Sequence, residues 1–228
     1  HFTSHELYKK RLVQLGEKKE NIFNVGSLGA ENSKKCNLKS KQEILEKYSI
    51  NIKKKIFLVT FNTSINDEIS TEMTVINFLK CLKYFSEVTV IFTLPNSDLN
   101  TDKLAKIIND YKKKNKNFYV FKSLGVVDYL SVMNFCDVVI GNSSSGIFET
   151  PSFKKPTVNI GNRQLGRIKA KNIIDCKCSF LPIFKSIKYA MSEKFKKKIN
   201  NVKNPYYKKN TSLKIFKRIS KLNLNKKL

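Results

Sequence analysis

Val138-Val-Ile-Gly-Asn-Ser-Ser-Ser-Gly-Ile-Phe-Glu149 is an apolar run that enters a turn of small polar residues and leaves it toward a helix. A strand that short and that continuously apolar is expected where both faces are buried. Similar runs stand at 56–61, 88–92, 118–121 and 157–160. Between them the apolar residues change to helical spacing: Met73, Ile76, Leu79 and Leu82, with Lys83 after them, then Leu104, Ile107, Ile108 and Tyr111. Strand and helix in strict alternation predict an α/β fold, a Rossmann-like parallel sheet covered on both faces.

In such a sheet ligands sit beyond the carboxyl ends of the strands, so the turn at 141–146 faces the binding crevice. Small residues let a ligand approach the backbone. Free amides at a helix start, with the Ser143 and Ser144 hydroxyls beside them, suit a diphosphate. Glu149, one to two turns on, can accept two hydrogen bonds from a ribose diol. The competing reading is that the serines only cap a helix and that Glu149 is exposed. A second strand, Pro156-Thr-Val-Asn-Ile160, runs into Gly161-Asn-Arg163-Gln-Leu-Gly166-Arg167. The chain has four arginines, at 11, 163, 167 and 218, against a large excess of lysine. A sequence so biased toward lysine keeps arginine where its planar fork matters, as in phosphate recognition, although surface pairing is an alternative.

Bulk properties bound the function. The formal charge is +26, but lysine runs such as 53–55 and 112–114 are scattered over every segment. That pattern fits a solvated surface better than a nucleic-acid interface, which would favour arginine. Cys36, Cys81, Cys136, Cys176 and Cys178 lack the spacing of a zinc site and read as reduced thiols in a cytosol, buried as small hydrophobes. No apolar run approaches a membrane span. The sequence opens at His1, without a charged-then-apolar leader, and reads as a piece of a longer chain.

Outside the sheet, residues 4–15 are predicted to form a helix capped by Ser4, and 22–25 a short strand ending at Gly26. The polar stretch through Lys41 suits a linker. Two helices are expected at 183–195 and 211–219, the second amphipathic through Leu213, Ile215, Phe216 and Ile219.

Several of these segments, taken together and in order, resemble the hydrolysing UDP-N-acetylglucosamine 2-epimerases of sialic-acid-type pathways. They are Gly141 to Gly146, Glu149, Pro151-Ser-Phe, and Pro156 to Arg167. Further likenesses are His1-Phe-Thr-Ser with Glu6, Tyr8-Lys-Lys-Arg11, Gln14-Leu-Gly-Glu17, Val25-Gly-Ser27, Thr93-Leu-Pro-Asn96 with Asp98, and Asn204-Pro-Tyr206 with Ser212. The resemblance implies the second domain of a glycosyltransferase-B-type fold together with the tail end of the first. Residues 1–50 would be the end of the first domain and the interdomain linker, 51–195 the nucleotide-binding domain, and 196–228 a helix returning toward the first domain. It implies a UDP-sugar substrate, a homo-oligomer, no metal or organic cofactor, and neither nucleic acid nor membrane as partner. By resemblance Ser143 and Ser144 bind the diphosphate, Glu149 the ribose, and Arg163 the phosphates. Tyr129 lies near the base, where it could stack on uracil or simply pack the core, and Gly26 approaches the cleft.

One departure stands out. Where the family has Thr-Phe-His-Pro, this chain has Val59-Thr-Phe-Asn62-Thr63, and asparagine cannot titrate near neutral pH. The implied reaction expels UDP and inverts carbon 2, releasing a free N-acetylmannosamine-type sugar. A transferase sharing this nucleotide domain, and an inactive sugar-nucleotide binder, remain alternatives.

Overall fold

The computed structural model of the chain describes residues 1–95 and 101–221, and α-carbon packing divides it into two compact units. One joins His1–Cys36 to the segment from Asn204 onward; the other is Asn37–Lys203. Asn96 and Asp98 lie outside the described residues.

In the smaller unit β1 (Phe2–Thr3) pairs in parallel with β2 (Phe23–Asn24), and α1 (Glu6–Gln14) connects them. The cap of α1 is His5 and not Ser4: the imidazole Nδ1 accepts from the Leu7 amide at 3.1 Å. A neutral histidine nitrogen serves as well as a hydroxyl here, and it sits at the residue whose backbone is still extended. The stretch expected to be a linker holds a helix, α2 (Leu28–Lys35), capped by Ser27. Its buried face is Ala30, Glu31 and Ser33, so no apolar stripe announces it. Burial pushes the Glu31 carboxyl up, but Lys35 at 2.7 Å and the Ser212 amide at 2.8 Å outweigh that and hold it at about 2.

The larger unit opens with α3 (Lys41–Lys47), closed by a capping box between Ser40 and Glu43. Then follow β3 (Lys55–Thr60), α4 (Thr71–Leu82), β4 (Val88–Thr93), α5 (Thr101–Lys113), β5 (Phe118–Phe121), α6 (Gly125–Phe135), β6 (Val138–Gly141), α7 (Ser145–Phe148), β7 (Thr157–Ile160), β8 (Ile173–Cys176), α8 (Phe180–Ala190) and α9 (Glu193–Ile199). The six strands β3 to β8 form one parallel sheet in the order β5-β4-β3-β6-β7-β8. Phe57, Leu58 and Val59 of central β3 are fully buried, as a strand covered on both faces requires. Phe61, Phe78, Phe92 and Phe118 form a ladder of ring contacts beside it, with centroids 5.6 to 6.3 Å apart. Strand order runs outward from β3 in one direction and from β6 in the other, so the chain reverses between these two strands. That switch point is where an open α/β sheet leaves a crevice.

Four expectations shift. The buried face of α4 is Val75, Phe78, Leu79 and Leu82, while Met73 is exposed, because the helix packs against α5 and α8 as well as the sheet. Residues 183–195 are two helices, since Ser192 accepts from the Phe195 amide and starts α9 afresh. The edge strand β8 was not anticipated; it is half exposed and carries Asp175. The larger unit begins before residue 50 and ends after 195. Ile44 of α3 is fully buried, and Lys39, Lys47 and Tyr48 all bond Asp128 of α6, while Phe195 and Ile199 of α9 are buried too.

After Lys203 the chain returns to the smaller unit and ends its described part in α10 (Thr211–Ile219), which leaves Leu213, Phe216 and Ile219 exposed. Among the described residues no helix is long and apolar enough to cross a membrane.

Candidate functional site at the carboxyl edge of the sheet

At the switch point the ends of β3 and β6 are packed backbone to backbone. Gly141 has φ +132°, and a Cβ there would lie 1.9 Å from the Thr60 carbonyl oxygen; no other residue fits. Asn142 then continues the pairing with its side chain. Its Oδ1 accepts from the Asn62 amide at 2.7 Å and its Nδ2 donates to the Asn62 carbonyl at 2.8 Å. The carboxamide thus takes the place of one more ladder residue, and both asparagines are buried. The Asn142 carbonyl in turn accepts from Gln164 Nε2 at 2.7 Å and from Arg163 Nη1 at 3.3 Å. Three strand-end loops, from β3, β6 and β7, meet on this one residue.

The serine turn follows. α7 is a single turn, shorter than the helix expected, and passes directly into a 3-10 segment at Thr150–Phe153. The capping reading holds in part: Ser143 Oγ accepts from the Ser145 amide at 3.3 Å, while Ser144, at the cap position, makes no such bond. Among the described residues the backbone amides of Ser143 and Ser144 find no partner, and neither does the Ser144 hydroxyl. Beside them a cavity of about 390 Å³ is lined by Ser143, Ser145, Tyr129, Thr60, Thr93 and Lys122, among others. A second cavity, about 400 Å³, lies on the β7–β8 side between Asp67, Gly161, Lys169 and Asp175.

Tyr129 is half-buried, and its hydroxyl bonds Ser145 Oγ at 2.7 Å, with Thr60 Oγ1 at 3.5 Å. Burial pushes its phenol up. Glu149 is largely buried, one carboxyl oxygen lacks a partner among the described residues, and burial raises it to about 8. It is not the exposed carboxylate of the competing reading, nor is it among the residues that line the cavity. Arg163 is half-buried against the Asn142 carbonyl; Arg167 lies over the Phe148 ring at 5.2 Å. Gly26 belongs to the smaller unit, and its φ of +94° and close approach to Lys208 and Thr211 account for the glycine without a ligand. Ser143, Ser144, Tyr129 and Arg163 therefore share one edge of the larger unit, and Gly26 is a residue of the smaller one.

The profile of the family described as UDP-N-acetylglucosamine 2-epimerase matches residues 1–220. The chain belongs to this family. Among its relatives it is 38% identical over 216 residues to the polysialic acid biosynthesis protein P7 of Escherichia coli, covering 92% of this chain and 54% of that protein. It is 40% identical over 176 residues to a hydrolysing GDP/UDP-N,N'-diacetylbacillosamine 2-epimerase of Campylobacter jejuni, covering 77% of this chain and 46% of that one. The chain spans about half the length of these two relatives. Among solved structures, that of S. aureus MnaA with UDP superposes with a TM-score of 0.74 at 19% identity, over 96% of this chain and 58% of that one. The sheet and its helices are thus those of the UDP-N-acetylglucosamine 2-epimerase fold.

Several of the epimerase-like motifs outside the edge build the smaller unit. Tyr8 and Tyr206 stack, with hydroxyls 2.6 Å apart; Asn204 Oδ1 accepts from the Tyr206 amide, and the Glu31 carboxylate accepts from the Ser212 amide. Asn142, Gln164, Ser145 and Thr60 escaped the sequence reading as site residues. The signal available was that Asn142 and Asn62 each follow a strand of the same sheet by one or two positions, but only the register of β3 on β6 makes them partners.

Proposed function

We propose that this edge holds the diphosphate of a UDP-sugar, and that the chain is the nucleotide-binding part of a hydrolysing UDP-N-acetylglucosamine 2-epimerase. The observation that carries the reading is the pair of unspent amides at Ser143 and Ser144, at the switch point, with the Arg163 guanidinium anchored beside them. Adjacent free amides and a fork-shaped cation suit anionic oxygens on a leaving group. The MnaA structure named above carries UDP, and the Campylobacter relative is a hydrolysing enzyme on a nucleotide-linked sugar.

In the reaction so proposed, a proton leaves carbon 2 as the bond from carbon 1 to the diphosphate oxygen breaks. An unsaturated sugar and UDP result. Water then adds at carbon 1, and a proton returns to carbon 2 on the opposite face. The amides and Arg163 stabilise charge that develops on the departing diphosphate, from positions fixed before the reaction. Glu149 accepts from the ribose hydroxyls, and Tyr129 lines the cavity beside the serine turn. A reading as a binder without turnover is favoured by one observation, Asn62, which stands where the family resemblance has histidine.

Calorimetry with UDP tests the reading. Arg163→Ala is expected to lose about 1 to 3 kcal/mol of binding, as for hydrogen bonds to a charged group, and Glu149→Ala about 1 kcal/mol, as for a carboxyl that is mostly neutral. Unchanged affinity in both variants overturns the assignment.

A further inference from the structure

Behind the serine turn runs a file of hydroxyls whose proton directions can be counted. Thr93 Oγ1 donates to the Val59 carbonyl at 3.5 Å and lies 2.5 Å from Thr60 Oγ1. A hydroxyl has one proton, so Thr60 is the donor of that short bond. At the other end Ser145 Oγ donates to Ser143 Oγ at 3.1 Å. Ser145 has then no proton left for Tyr129, 2.7 Å away, and the phenol must donate to Ser145. The Thr60 contact to Tyr129, at 3.5 Å, then has no proton to share, so the two halves of the file are separate.

Ser143 is where the count leaves a remainder. Its oxygen accepts from the Ser145 hydroxyl and from the Ser145 amide, which uses both lone pairs. Its own proton meets no acceptor among the described residues, and the side chain lines the cavity of about 390 Å³. So ordered, Ser143 can serve a ligand only as a donor.

We propose that Tyr129 is a positioning residue: through Ser145 its hydroxyl keeps the Ser143 proton turned into the cavity, making this point of the site selective for an unprotonated phosphate oxygen. The assignment rests on the functional reading above and deepens it. It gives Tyr129 a task distinct from stacking on a base, because the phenol oxygen and not the ring face carries the effect. Without the phenol proton, Ser145 is free to turn its own proton elsewhere. Ser143 then loses its second donor and spends part of its time as an acceptor facing an anion.

The test compares UDP with uridine, which shares the nucleoside and lacks phosphate, on the 228-residue chain by calorimetry or ligand-observed NMR. Tyr129→Phe is expected to weaken UDP about fivefold, the worth of one modest hydrogen bond, and to leave uridine unchanged. Ser145→Ala should weaken UDP similarly, and the double variant should be no worse than either single one, as for residues acting in one file. Equal losses for UDP and uridine would show that the ring acts by packing or stacking, and an unaltered UDP affinity in both single variants would show that the file is idle; either result overturns the proposal. If the unaltered chain binds uridine but gains nothing from the diphosphate, the functional reading falls, and this assignment falls with it.

Discussion

Glu149 carries its carboxyl into a largely buried position where one oxygen has no partner among the described residues, and the consequence is a stability that depends on pH. Its ordinary value of 4.5 rises to about 8 in the fold. Between those values the folded chain holds one more proton than the unfolded chain, so stability declines as pH rises through that window. Glu149→Gln is neutral at every pH and escapes the decline. By scanning calorimetry its melting temperature should exceed that of the parent at pH 9 and match it closely near pH 4; a gap of equal size at both pH values would mean that another group titrates. A buried carboxyl with an unmatched oxygen gains from any ligand that donates to it, which is the physical case for a ribose diol there. The sequence indicated the residue but not its burial, because exposure at that position depends on how tightly α7 turns into the 3-10 segment. Asn142 shows the same limit. Its type and place could be read, yet its role as a clasp on Asn62 follows from the register of two strands distant in sequence.

At the scale of elements, the docking of α3 on α6 hangs on Asp128. Burial pushes this carboxyl up, but bonds from Lys39, Lys47 and Tyr48 outweigh that and hold it at about 2. Its contribution is therefore complete above the ordinary 3.8 and is lost as pH falls through about 2. Asp128→Asn should lower stability at pH 7 by about 1 to 3 kcal/mol, a moderate figure because both lysines are half exposed. Urea unfolding should show that deficit narrowing from pH 5 toward pH 2; a constant deficit would assign the loss to packing instead. The five anticipated strands were legible to within a residue or so because burial on both faces leaves an unbroken apolar run. β8 was hidden by its half-exposed edge position, and α2 by a buried face made of Glu31 and Ser33, whose burial is tolerated through partners on α10 and within α2 itself.

For the whole molecule, two units interleave in sequence, and the smaller one is closed by residues from both ends of the chain. The Tyr8–Tyr206 pair and the Glu31–Ser212 bond do this work. No local signal marks such a return; only the resemblance to the epimerase family suggested that the last helix goes back toward the opening segment. The parallel sheet was legible, and with it the place of the turn at 141–146 at its carboxyl edge, since alternation and that turn are local patterns. The boundaries were not, because α3 and α9 are joined to the larger unit by long-range contacts. The central claim is that anionic oxygens of a nucleoside diphosphate lie on the Ser143 and Ser144 amides, and an amide-resolved NMR titration of the chain with UDP tests it most directly. The account predicts that these two amides and the Arg163 side chain shift together and saturate at one ligand concentration. Shifts confined to Asp67, Lys169 and their neighbours around the other cavity, with the serine amides unmoved, would contradict it.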